Sequence, residues 1–145
     1  MLKTEHHWIG LALLSAVFAA LVGVVGKRGL EGVDPTLGTA IRAAIMGVFL
    51  VAMAGVLGKW SGLRTVGRPA LGWIALSGVC GALSWLCYFA ALRLGKAGPV
   101  AALDRLSIVF TLLLAASILK ERLTPTAAVG ALLITAGALL VARGK

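Results

Sequence analysis

The chain has 145 residues, 60% of them hydrophobic and 13% charged, with a mean hydropathy of +1.02. A soluble domain carries about 45–50% apolar and about 25% charged residues, and a chain this small cannot bury such an excess in one core. A soluble enzyme and a disordered chain are therefore excluded, and the net charge of +9, scattered in ones and twos between apolar runs, suits helix ends anchored at phospholipid headgroups rather than nucleic-acid binding.

A spanning helix needs about 20 mostly apolar residues, and the sequence offers five such stretches. The first, about 8–26, follows a short head ending in His6-His7. A cleaved signal peptide is the alternative there, but the apolar run is longer than a typical h-region and the head carries only Lys3 against Glu5, so a retained helix is expected. The second, about 35–58, is opened by Asp34-Pro35, an N-cap acid before a proline at the first helical position, and is interrupted by Arg42. The third, about 69–92, has no charge inside it. Its cysteines, Cys80 and Cys87, lie seven residues apart and so about 10 Å apart along a helix, too far for a disulfide. The fourth, about 98–119, is interrupted by Asp104 and Arg105, and the fifth, about 124–142, is opened by Thr124-Pro125. Connections are short, so the expected fold is an all-α membrane protein, a single domain over 1–145.

Five spans place the two ends on opposite sides of the membrane. Lys3, Lys59, Arg64, Arg68, Lys120 and Arg122 fall on one side, and Lys27, Arg28, Arg93, Lys96, Arg143 and Lys145 on the other. The positive-inside rule gives no preferred orientation from this balance. Either one loop decides, or copies insert both ways and pair as an antiparallel dimer, the dual-topology route to an inverted repeat. Gly130 and Gly137, two turns apart on one face of the fifth span, form a small-residue seam suited to close packing within or between monomers.

An ionisable side chain inside a span is costly and marks a candidate functional site. Arg42, Asp104 and Arg105 are the three, and counting from the helix starts puts them at similar depth in one leaflet. Asp104, Ser107 and Thr111 are spaced three then four apart, one face of a helix. On the third span Ser77, Gly81, Ser84 and Tyr88 fall at similar spacing beside Trp85. An acid, a base, hydroxyls and two aromatics would suit a small amphipathic solute. The structural alternative is that Asp104 merely neutralises Arg42, since Arg105, its neighbour in sequence, points about 100° away around a helix. Glu121 reads as a turn organiser between the last two spans. His6 and His7 are weak evidence for a metal, and two thiols make no metal cluster. No zinc motif, serine elbow or acid pair at catalytic spacing appears, so no enzyme, cofactor or metal is expected.

Ser84-Trp85-Leu86-Cys87-Tyr88-Phe89-Ala90-Ala91-Leu92, Ala97-Gly98-Pro99-Val100-Ala101, Val109-Phe110-Thr111 and Leu119-Lys120-Glu121-Arg122-Leu123-Thr124 strongly resemble the EamA domain of the drug/metabolite transporter superfamily. The likeness extends over all five spans, includes Lys27 and Arg42, and is most specific from about Gly72 to Ala142. Most members carry two such domains as an inverted repeat. The resemblance therefore implies one half of an inverted-repeat transporter in its single-domain bacterial form, in the inner membrane, exporting small metabolites or drugs by ion coupling or exchange. The glycine seam is similar to the dimerisation seam in the last helix of the small multidrug resistance proteins. This favours a homodimer through Gly130 and Gly137. Those proteins carry their essential acid in the first span, where this chain has none, so Asp104 inherits no role by position.

The expected site comprises Asp104 to exchange protons or bind a cationic group, with Ser107 and Thr111 lining the path. Arg42 would tune the acid or hold an anionic group, and Trp85 and Tyr88 would contact apolar parts of the solute. A flippase subunit for a lipid-linked carrier and a non-transporting assembly subunit are the alternatives.

Overall fold

The computed structural model describes residues 7–144. Lys3, Lys145 and the head through His6 lie outside the described residues. Six α-helices and one 3₁₀ helix follow in order: α1 (His7–Gly29), α2 (Pro35–Val56), the 3₁₀ helix (Lys59–Thr65), α3 (Arg68–Leu94), α4 (Ala97–Asp104), α5 (Ser107–Ile118) and α6 (Pro125–Arg143). Among the described residues there is no strand. Among the described residues five segments are long and apolar enough to cross a membrane: α1, α2, α3, the α4–α5 pair (Ala97–Ile118) and α6. The protein is an all-α, multi-pass membrane protein, as its composition demands.

The helix starts follow from local chemistry. The Asp34 carboxylate accepts from the N–H groups of Thr36 (2.9 Å) and Leu37 (3.0 Å), and Pro35 takes the first helical position, where a missing N–H costs nothing. The Thr124 hydroxyl accepts from Ala127 N–H at 3.2 Å and caps α6 in the same way. Gly58 ends α2 two residues earlier than its apolar run suggests. Its φ of +63° is left-handed backbone that a side chain would oppose, and its N–H returns to the Gly55 carbonyl at 2.9 Å. The connection expected as a loop after it is the 3₁₀ helix.

The fourth span is not one helix. Arg105 and Leu106 have ψ of −13° and −17°, and their N–H groups bond to Ala102 and Leu103, three residues back. Ile108 and Val109 repeat that spacing before the α-helical pattern resumes at Phe110. The span thus tightens to 3₁₀ geometry between α4 and α5, with no proline or glycine at the step.

Backbone packing divides the chain into two units, Met1–Arg28 with Leu94–Lys145, and Gly29–Arg93. In the first, α6 packs on α4, and the Lys27 ammonium donates to the Gly95 carbonyl, tying the end of α1 to the start of the fourth span. The face of α6 bearing Ala127, Gly130, Ala131, Thr135 and Ala138 is half-buried to buried, whereas Gly137 is exposed with no side chain over it. In the second unit the 3₁₀ helix folds back on α2, placing the Trp60 indole over Gly55. Leu30 lies against Gly38, which leaves it room.

The interior is thin. Among the described residues the buried hydrophobic side chains are Leu30, Phe89, Leu92 and Ala138, of which only Leu92 is fully enclosed, while Trp73, Val48 and Leu140 are each at least 70% exposed. No soluble monomer presents apolar surface on this scale, so that surface meets lipid or another protein.

Candidate binding site around Arg42

α2 carries Pro35, Thr39, Arg42 and Met46 at spacings of four, three and four, one face of a helix. All four are half-buried or buried. Thr39, the most enclosed, returns its hydroxyl to the Pro35 carbonyl at 2.7 Å, so it needs no other partner. Arg42 lies two helical turns into the apolar span.

From α3, Trp85 and Phe89, one turn apart, face this guanidinium. The Arg42 Cζ stands 3.8 Å from the Trp85 ring centroid and 4.8 Å from that of Phe89. The negative face of each ring attracts the cation, worth about 0.5–1 kcal/mol at exposed sites and ~2 or more when water is excluded. Phe89 is fixed in turn by Tyr88, whose ring meets it edge-on at 5.6 Å and 81°, and it is only 2% exposed. At the outer end of the same helix pair, Arg93 of α3 pairs with the capping Asp34 of α2 at 3.9 Å.

The hydrogen-bonding capacity of Arg42 is poorly filled. Nη2 donates to the Met46 thioether at 3.6 Å, a weak acceptor, and Nη1 is buried with no hydrogen-bond partner among the described residues. Stacking uses the faces of the guanidinium and not its in-plane N–H groups, so a carboxylate that reached the edge could be held there.

The other candidates lie in the other unit. The Asp104 carboxylate pairs with Arg105 Nη2 at 3.6 Å, with the side chains 37% and 48% exposed. Neighbours in sequence were expected to diverge, yet the length of the arginine lets it turn back on the acid. Asp104 ends α4 and Ser107 begins α5, so the stripe of Asp104, Ser107 and Thr111 is not a face of one regular helix. Ser107 and Thr111 remain one turn apart on α5 and are both exposed. Glu121 belongs to the turn before α6, where its N–H reaches back to the Ala115 carbonyl at 3.2 Å across a left-handed Lys120.

The stripe expected on α3 is also displaced. Ser77, Gly81 and Ser84 are exposed, and the residues that meet Arg42 are Trp85 and Phe89. Phe89 and Met46 were not singled out from the sequence. The signal for both was present, since each lies four residues after a singled-out residue on the same helix. Cys80 and Cys87 are free thiols, and among the described residues no three His, Cys, Asp or Glu side chains gather to hold a metal.

Five apolar spans joined by short turns, with charged groups held inside them, define a multi-pass membrane protein. The chain belongs to the EamA-like transporter family, which matches residues 6–143 as one domain. It is 40% identical over 139 residues, 95% of this chain and 98% of the other, to a protein of Sinorhizobium sp named as an uncharacterized transporter in the cobO 3′ region. No solved structure matches the chain.

Proposed function

We propose that this membrane transporter exports small organic solutes across the bacterial inner membrane, as a homodimer whose two copies stand in for the two domains of larger family members. Asp104, Ser107 and Thr111 line the solute path in this reading, with Asp104 exchanging a proton or meeting a cationic group. Arg42, Trp85 and Tyr88 contact the solute. The observation that carries the reading is the Arg42 guanidinium, held two turns inside an apolar span with a buried N–H that has no acceptor among the described residues. An intramembrane ionisable group is costly, and its stacking on Trp85 and Phe89 leaves in-plane N–H groups that a structural role does not use.

Dimerisation through α6 is supported by the open surface over Gly137 and by the even split of basic residues between the two sides. Glycines let helix backbones approach closely where lipid supplies no hydrophobic drive to associate. The test is reconstitution of the purified protein into liposomes loaded with a panel of labelled acids, amines and neutral solutes, with and without a pH gradient. Saturable efflux of at least one solute above that from protein-free liposomes is expected. Absence of flux for every solute would leave an assembly subunit as the better account.

A further inference from the structure

Arg42, Trp85 and Phe89 make a more specific statement about what is bound. We infer that the Arg42 guanidinium is the recognition point for a monocarboxylate on an otherwise apolar solute, with the Trp85 and Phe89 rings as the platform that fixes the guanidinium plane. The inference rests on the transport reading above and names its substrate class.

Three observations lead to it. First, the cation is oriented before any ligand arrives. Cζ stands 3.8 Å from the centroid of Trp85 and 4.8 Å from that of Phe89, so two ring faces restrict the guanidinium. Phe89 is itself locked edge-on against Tyr88. A pre-positioned arginine gives up less side-chain freedom on binding than a mobile one. Second, a donor is waiting. Among the described residues Nη1, which is buried, has no acceptor, and Nη2 has the Met46 sulfur at 3.6 Å. A buried donor left unpaired is unfavourable, and an in-plane carboxylate satisfies two adjacent N–H groups together. Third, the surroundings select both charge and body. Aromatic faces repel an anion above the ring but tolerate it at the edge of a stacked guanidinium, and they offer the rest of the solute apolar contact. One fixed positive charge offsets one negative charge. A dianion such as phosphate would bring an uncompensated charge into a low-dielectric setting.

The same chemistry could come from a lipid headgroup rather than a dissolved solute. Arg42 lies seven residues past the start of α2, about 10 Å along the helix, which sets it inboard of the headgroup layer. That depth favours a solute that enters the protein.

The experiment uses the full chain in nanodiscs and reads Trp85 emission as the difference between wild type and Trp85→Phe. Phenylacetate, phenethylamine, 2-phenylethanol and inorganic phosphate serve as probes of nearly matched body or differing charge. Phenylacetate is expected to give a saturable change with at least tenfold tighter binding than the other three, in zwitterionic and in phosphatidylglycerol nanodiscs alike. Arg42→Gln should weaken phenylacetate binding at least tenfold, and Arg42→Lys, which keeps the charge but not the planar fork, by a smaller factor. Equal or tighter binding of phenethylamine or phosphate by wild type overturns the inference without recourse to any variant. So does phenylacetate binding unchanged in Arg42→Gln, or no saturable phenylacetate binding at all. Loss of phenylacetate binding only in phosphatidylglycerol assigns the site to lipid headgroups and also overturns it. Flux of amines or neutral solutes without phenylacetate binding defeats this inference and leaves the transport reading standing. Phenylacetate binding with no flux of any solute does the reverse.

Discussion

The Arg42 guanidinium carbon stands 3.8 Å from the ring centroid of Trp85, and eight residues outward along each helix Asp34 meets Arg93 at 3.9 Å. Two cation contacts at equal spacing fix the antiparallel register of α2 and α3. The outer one is solvated and contributes little, because exposed ion pairs are worth about 0–1 kcal/mol. The inner one lies against rings in an apolar span, where the same kind of attraction is less screened.

The Arg42–Trp85 contact predicts measurable coupling. A double-mutant cycle of Arg42→Met and Trp85→Leu, read from unfolding in detergent, should return a favourable interaction of about 1 kcal/mol. Additive single effects would mean that the stacked geometry contributes nothing. Arg42→Met alone should cost less than the loss of that contact suggests, because it also removes the unfilled Nη1 donor.

Asp34 separates capping from ion pairing. Asp34→Ala removes the acceptor of two backbone N–H groups and should destabilise by about 1 kcal/mol. Asp34→Asn keeps an oxygen acceptor and loses only the exposed pair with Arg93, so it should cost at most a few tenths of a kcal/mol. Thermal midpoints of the two variants decide the ranking, which reverses if the ion pair matters more than the cap.

Gly58, like Gly32, is a residue at which left-handed backbone favours glycine. With φ at +63°, Gly58→Ala should cost about 1 kcal/mol, whereas Gly62→Ala, in the 3₁₀ helix with open space around it, should be near neutral. Melting of the two variants side by side checks this.

The sequence made the helix starts legible because they rest on short-range chemistry: an acid or a threonine, then a proline. Asp34-Pro35 and Thr124-Pro125 both cap as expected. The interruption of the fourth span was not legible. Asp104-Arg105-Leu106-Ser107 contains no breaker, and the change is a few tens of degrees in ψ that apolar periodicity does not record. The pairing of Asp104 with Arg105 departs from the sequence expectation for a related reason, since ideal helix angles describe where a side chain leaves the backbone and not where a long arginine ends. Arg42 stood out as a charge inside a span, but its ring partners depended on the rotation of α3. The spacing fitted a serine stripe and an aromatic pair equally well, and only the fold distinguishes them.

Asp104 provides a separate functional prediction under the proposed transport. Asp104→Asn should abolish stimulation of flux by a pH gradient in proteoliposomes while leaving exchange without a gradient. Stimulation equal to wild type would remove Asp104 from coupling and leave it the structural partner of Arg105.

Dual topology predicts labelling from both sides. With Cys80 and Cys87 replaced by alanine, a single cysteine at Gly144→Cys should react with an impermeant maleimide to about half in intact cells and fully after permeabilisation. One-sided labelling would rule out mixed insertion and with it the antiparallel dimer.

The central claim, that Arg42 set among aromatic rings inside the membrane selects and moves a monocarboxylate, is tested most directly by counterflow. Proteoliposomes preloaded with unlabelled phenylacetate are diluted into trace labelled phenylacetate, and transient accumulation is followed for wild type and Arg42→Gln. The account predicts an overshoot in wild type that is absent in the variant. An overshoot of equal size in both, or none in wild type, would contradict it.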